Sequence, residues 1–555
     1  MTILPILLTL LPYFANAAND WNKPCFQGTC SYDVAPSATS MSGSMTIGGS
    51  TKAISDITPA AGWEILGCDP NALSQDIRLV CKSSDAPSVG CDHLYENGAE
   101  NTIVRLPENC LKVPFARVAR AWVPADQSIP TSIAHRIMKR QDGGTPQVQA
   151  LTLDTNWTAA ADNQNGNVTL FVTGSTIPGE QGNATITPPS QRRSRVQRRG
   201  LDIKGLVKDI FSNSFDKNIR TTVPPIDINQ KFPIFNTSTQ CSGTSGASAA
   251  ASVNINADAK VHAEITLGVV ASGTLLPPIV DSFSLVAGLT ANLDGTLNID
   301  AALSGTLDSG LIPLFETGIP GLEIPEVFSI GPEFALNARA TATLDVNVNM
   351  GIDLAYDVQK LQLVFPPTSD QPSSGSPTPR DTPLKLSVSP QVSSKGTIEA
   401  HVIPTINFGI TALGGKAASA TVFLNVDASA ALTLTLNAQA NATAQTNGTT
   451  STGASVDGCV DVSGGVSANA GARGSFLNFF DDSTSVPIFS KNFDIFKKCF
   501  GASTGSSTKR SETAVRALPF EKRASGLSCP SSGIGSELAS LAEETVSASA
   551  FQSKN

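Results

Sequence analysis

Residues 334–357 read FALNARATATLDVNVNMGIDLAYD, and every even position is apolar, from Phe334, Leu336 and Ala338 through Ile352, Leu354 and Tyr356. The odd positions are mostly Asn, Arg, Thr and Asp. Side chains two apart share a face only in extended backbone, whereas a helix would repeat at three and four. At ~3.3 Å per residue this stretch would reach ~80 Å as an unbroken strand. Ordinary strands run to about 5–6 residues, so the pattern predicts exceptional strands, or strands bent at points such as Gly351.

The same alternation recurs on both sides of this stretch. Apolar residues hold the odd positions from Ala251 to Val269 and again from Leu285 to Leu307, with Gly295 and Gly305 in two of the slots. They hold the even positions from Ile398 to Ile410, from Val422 to Ala444 and, more weakly, from Val456 to Phe476. Six long strands with one apolar face predict antiparallel pairing with one wet side. Asn441, His262, His401 and Cys459 fall on the polar phase. Cys459 is therefore expected to meet Cys499, Cys241 or Cys529 outside the core. The apolar face must be covered by a second layer, or the sheet must curl upon itself. Two layers pressed together would be dry and filled, helped by the many Ala side chains; a curled sheet would enclose a groove for an apolar, lipid-like ligand. The fold class read here is mainly β: long antiparallel strands forming a sandwich-like or curled sheet, with a smaller disulfide-rich β module at the N-terminus.

Composition supports folding throughout most of the chain. Its 555 residues exceed one ordinary core, and 41% apolar against 15% charged residues argues against global disorder. Residues 1–17, MTILPILLTLLPYFANA, join a short apolar run to a small-x-small end, the pattern of a secretory signal peptide. The run is too short to cross a bilayer, and no later segment is apolar enough to be a transmembrane segment. The expected location is extracellular, secreted or associated with a cell wall.

Ten cysteines agree with an oxidising compartment. Cys25, Cys30, Cys68, Cys81, Cys91 and Cys110 lie early, and Cys241, Cys459, Cys499 and Cys529 late, so two separate disulfide sets are expected. With no C-x-x-C pair and four scattered His residues, no metal or other cofactor is called for. Sequons at Asn156, Asn167, Asn183, Asn236, Asn441 and Asn447 are candidate glycosylation sites.

Basic pairs stand at Lys139-Arg140, Arg192-Arg193, Arg198-Arg199, Lys509-Arg510 and Lys522-Arg523, each among polar or loop-forming residues. Such segments invite proteolysis. The run QRRSRVQRRG (191–200) is read as a place to be cut and not as a nucleic-acid grip, because no basic domain or stacking aromatics accompany it. The resulting map is a cysteine-rich β module at 18–185, a basic processing linker at 186–200, a long-strand all-β domain at 201–505 and a polar tail at 506–555. A Pro/Ser loop is expected at 366–383, an amphipathic helix in GLDIKGLVKDIFSNSFDKNIR (200–220), and a short helix in SELASLAEETVSASAF (536–551).

No nucleophile elbow, zinc-protease or phosphate-loop motif occurs. The candidate general bases are His93, His135, His262 and His401, of which only His93 lies in a pocket-forming loop. Glu96, Glu100 and Glu108 are candidate carboxylates for glycoside hydrolysis, although their contexts read as turns. DNQNGN (162–167) is expected to close a hairpin between LTLDTNW and VTLFVTG.

The residues CDHLYENGAENTIVRLPENC (91–110), the following PFARVARAWVP and the long alternating blocks resemble a group of uncharacterised secreted fungal proteins. Those pair an N-terminal cysteine-containing domain of unknown function with a C-terminal all-β domain of unknown function. The resemblance implies a kexin-like processing protease as a partner and transfers no catalytic residue. The expected protein is thus a secreted, processed, non-enzymatic glycoprotein of the cell surface or matrix, with cell-wall polysaccharide or an apolar ligand as further candidate partners. A carrier of lipid-like ligands and a carbohydrate-active enzyme are the alternatives.

Overall fold

A computed structural model describes residues 19, 22–83, 90–139, 144–160, 165–177, 221, 223–242, 248–366, 373–388, 393–413, 418–444, 450–476, 484–500, 523–529, 538–550 and 552–554. All six predicted long strands are present, each longer than its alternation indicated. Eight strands form a continuous antiparallel meander: β1 (Ile226–Ser242), β2 (Ser248–Leu276), β3 (Ile279–Asp308), β4 (Phe328–Phe365), β5 (Ser394–Ala412), β6 (Ala418–Ala444), β7 (Thr450–Phe476) and β8 (Thr484–Phe500). Each pairs with the next.

β4, 38 residues long, is the corner of the fold. Its first part, Phe328 to Asp345, pairs with β5, and its last part, Thr341 to Phe365, pairs with β3. The two strand groups therefore share one strand and turn their apolar faces toward each other. One core cluster gathers Leu289, Phe334, Ile406, Val422 and Phe493; the other gathers Leu297, Ala338, Leu432 and Val460. Both draw from β3 on one side and from β6 on the other, so the one continuous sheet covers its own apolar face.

Burial follows the expected phase along β4, with Phe334, Leu336, Ala338, Ala340, Val348 and Ile352 all buried. Gly351 does not bend the strand; it pairs in register with Asn298. The break comes later. Lys360 adopts a φ of 54°, pairing with β3 slips between Leu289 and Ala291, and the buried phase moves to Leu361, Leu363 and Phe365. One extra residue in a strand flips the face of all that follow.

The two outermost strands were not visible as alternation. β1 carries Pro233 and β8 carries Pro487, each at a slip in pairing. Proline has no amide hydrogen to give to a ladder, so it is tolerated at edges and bulges. The Pro/Ser loop is likewise corrected in part: Ser374–Pro379 and Thr382–Val388 are strands paired with β4. In the tail, Ala539–Val546 is a strand on Thr382–Val388 and not a helix, because hydrogen bonds to a free edge outweigh a marginal local helix preference. Arg523–Ser528 pairs with β3, and Gln552–Lys554 with β8.

The N-terminal region divides between two sheets. Thr29–Val34, Ser42–Gly48 and Val168–Ser175 extend the long sheet, the last of these pairing with β2. Six short strands form a separate sheet in the order Ile54–Asp56, Ile103–Arg105, Phe115–Trp122, Val148–Asp154, Gln75–Cys81 and Trp63–Gly67. The hairpin expected around DNQNGN is not formed: Val148–Asp154 lies in the small sheet and Val168–Ser175 in the long one. Between them a turn at Trp157–Ala160, with both Trp157 and Ala160 buried, carries the chain from one sheet to the other. No helix among the described residues is long and apolar enough to cross a membrane.

Candidate functional site

All ten cysteines are paired, in the two separate sets that the counts implied. The early set is Cys25–Cys30, Cys68–Cys110 and Cys81–Cys91; the late set is Cys241–Cys529 and Cys459–Cys499. Cys459 sits directly opposite Cys499 across β7 and β8, one of the three partners its polar phase allowed.

A constellation of charged side chains lies on the outer face where β4, β5 and β6 run side by side. Arg339 on β4 stands opposite His401 on β5, which stands opposite Ser429 on β6. The His401 Nδ1 is 2.8 Å from an Asp427 carboxylate oxygen, and Nε2 is 3.4 Å from Glu399. Arg339 in turn donates from Nε and Nη2 to Asp308, at 3.1 and 2.6 Å. Burial alone would lower the His401 pKa, but the hydrogen bonds its ring donates to Asp427 and Glu399, with their charges, raise it to about 9. The hydrogen bond to His401 holds the Glu399 carboxyl below its usual range against burial, and the bond from Arg339 does the same for Asp308. His401 is therefore a held cation and not the exposed strand residue its phase implied; its side chain is only 19% exposed. The sequence hid this cluster because Asp427 becomes a neighbour of His401 only through the register in which β5 and β6 pair.

The second locus is internal. An apolar cavity of about 40 Å³ lies between the layers, lined by Ala257, Ala259, Leu354, Tyr356, Ala400 and Ala428 among others. Facing alanines leave the gap, and a void of this size is far below the roughly 300 Å³ at which small-molecule sites begin. The Tyr356 hydroxyl is buried without a hydrogen-bond partner among the described residues, and burial pushes its pKa up.

In the N-terminal module, His93 stacks on Phe26 with ring centroids 4.6 Å apart, and its Nδ1 is 3.0 Å from the Ser55 hydroxyl. Ser55 is 1% exposed, so this serine is closed to a substrate. Glu96, Glu100 and Glu108 are all exposed, as turn residues would be, and His135 is exposed at the end of a one-turn helix. His262 is half exposed, hydrogen-bonded through Nδ1 to Asp227 at 2.6 Å.

Residues 226–501 match a family model described as a domain of unknown function, DUF7223. The match starts at the first residue of β1 and ends one residue past β8, so it coincides with the meander. No curated protein and no solved structure matches the chain.

The modification candidates distribute unevenly. Asn156, Asn167 and Asn236 are exposed, and Asn441 lies in β6; Asn183 and Asn447 fall outside the described residues. Of the basic pairs, Lys139 is exposed and Arg523 begins a strand opposite Asp308. Arg140, Arg192, Arg193, Arg198, Arg199, Lys509, Arg510 and Lys522 lie outside the described residues, as does the helix expected at 200–220.

Proposed function

We propose that this chain is an exported, glycosylated, non-enzymatic protein of the cell surface or extracellular matrix, in which the meander acts as a stiff, polar-faced ribbon. The observation that supports the reading is the small size of the apolar cavity between strands of 17 to 38 residues: among the described residues it holds about 40 Å³. A carrier of lipid-like ligands would need several hundred Å³. Exposed Asn156, Asn167 and Asn236 offer sugar acceptors, and five disulfides suit an oxidising exterior. Cell-wall polysaccharide is the proposed partner, and a kexin-like protease the proposed processing enzyme.

One observation favours the carrier as second reading: the unpartnered Tyr356 hydroxyl beside the cavity would suit the polar end of a small apolar ligand. The test is to secrete the full chain, extract it with organic solvent for mass spectrometry, and incubate it with insoluble wall polysaccharides. Retention on the polysaccharide without release of sugar, and no stoichiometric lipid, is the expected result. A lipid recovered one-to-one would replace this reading with the carrier, and released oligosaccharide would replace it with an enzyme.

A further inference from the structure

The chain ends on either side of residues 178–220 lie at one point of the fold. Val168–Ser175 and β1 both line the same edge of β2, end to end: Ser175 stands opposite Gly268, and Ile226 opposite Ala263. Between these positions Thr176 and Thr221 meet, the Thr221 hydroxyl donating to the Thr176 carbonyl at 3.4 Å and lying 3.4 Å from the Ile265 carbonyl. Thr176 is fully buried; its amide donates to the Leu267 carbonyl at 2.9 Å, and its hydroxyl accepts the Leu267 amide at 2.8 Å. Thr176 and Thr221 thus close the neck by contacts of their own with each other and with β2.

The covalent cross-links respect the same division. The early three disulfides lie wholly before the neck and the late two wholly after it. Each side also has a core cluster of its own, one around Trp63, Leu79 and Leu153, the other around Leu297, Leu432 and Val460. What joins them is the ladder from Val168–Ser175 to β2 and a core cluster shared by both sides, in which Met41, Met45 and Val172 of the first gather with Leu267, Val269 and Leu322 of the second. Leu322, which is buried, seats over Gly43 and Gly174; a Cβ added at Gly174 would lie 2.8 Å from a Leu322 methyl and 3.0 Å from a Val269 methyl.

We propose that the chain through Ile177 and the chain from Thr221 are complementary halves that stay assembled with no covalent link, so that a cut anywhere in 178–220 yields a non-covalent two-chain protein. The partner of each half is the other half, bound by strand addition to the edge of β2. The inference goes beyond the processing proposed above and does not need the cell to make the cut.

The test uses the full chain with a recognition sequence for a site-specific protease placed within 189–199. After cutting, the halves should co-elute at the intact size on a native column and separate on a denaturing gel without reductant. Separation on the native column, or a single non-reduced band despite a confirmed cut, would overturn the proposal. Gly174→Val should abolish co-elution of the cut halves while the uncut variant elutes as the parent does, since the tether keeps an effective concentration on the order of mM. Thr176→Val is the milder probe: loss of one buried hydrogen bond should weaken the cut pair by about tenfold. Co-elution of both cut variants at the parental affinity would equally sink the assigned contact surface. Secreted material that is never cut in 178–220 would remove the processing reading and leave this one standing.

Discussion

The six-stranded N-terminal sheet and the long meander keep their strands in register by opposite means. Strands of the small sheet run from three to eight residues and bury charged pairs: Arg105 with Asp56, at 2.6 Å and with side chains 7% and 0% exposed, and Arg117 with Asp154. Two disulfides, Cys68–Cys110 and Cys81–Cys91, tie its loops. Strands of the meander run from 17 to 38 residues, and ion pairs such as Lys231–Asp258 and Lys497–Asp461 stay on its wet face. A one-residue slip in a long one-sided strand would expose its whole apolar set, so the pattern itself enforces register. A short strand has too few such side chains, and specific charges and cross-links supply what the pattern does not.

The largest expected effects come from attacking each half at its own kind of support. Asp56 accepts from the Arg105 guanidinium, the Cys25 amide and the Thr58 amide, all in the interior. Arg105→Ala leaves that carboxylate buried against an empty space and should cost about 3–5 kcal/mol. In the meander, Phe334→Ala opens a cavity at a fully buried position and should cost a similar ~3–5 kcal/mol. The two are separable in part, because Trp63 and Trp122 sit in the small sheet, whereas Trp157 shares the core cluster of Phe334. Denaturation followed by tryptophan fluorescence should shift with Arg105→Ala, and far-ultraviolet circular dichroism mainly with Phe334→Ala. Identical shifts in both signals for both variants would mean one cooperative unit and would break the comparison.

A smaller effect sharpens it. The Cys68–Cys110 bridge closes a loop of 42 residues, and replacing both with Ala should remove about 3–4 kcal/mol from the fluorescence transition by the chain-entropy argument. The far-ultraviolet signal should barely move. A large loss there would show that the meander leans on the small sheet.

Legibility in the sequence follows the same divide. Period two is a local signal, so 251–269, 285–307 and 334–357 declared themselves as strands with their buried faces assigned correctly. The two cysteine sets declared themselves by count. What the pattern could not carry was anything fixed by a partner distant in the chain. β1 and β8 interrupt their alternation with Pro233 and Pro487, and Ala539–Val546 is a strand only because Thr382–Val388 offers an edge. Trp157 and Ala160 diverted the expected hairpin by burying themselves between sheets. The polar row at Arg339, His401 and Asp427 needed the register of three strands, and the neck at Thr176 and Thr221 needed the whole edge of β2.

The smallest of these effects probes the meander's wet face, where charge is present but is not expected to hold the fold. His401 is flanked by Asp427 and Glu399, with Arg339 opposite it as a second cation that is itself neutralised by Asp308. Because the folded protein raises the His401 pKa from 6.5 to about 9, the proton is bound more tightly folded than unfolded. Its stabilisation is therefore complete below the unfolded value and is lost as pH rises through the folded one, amounting to about 3 kcal/mol. The midpoint of the far-ultraviolet transition should fall between pH 6.5 and about 9 in the parent chain. His401→Gln, which keeps a polar side chain but no titrating proton, should already sit low at the acidic end and show a correspondingly shallower decline. Parallel curves for the two proteins would mean that the carboxylates do not hold the imidazolium. The outer face of the meander would then be as energetically silent as an ordinary exposed ion pair, and the contrast with Arg105 and Asp56 would become absolute.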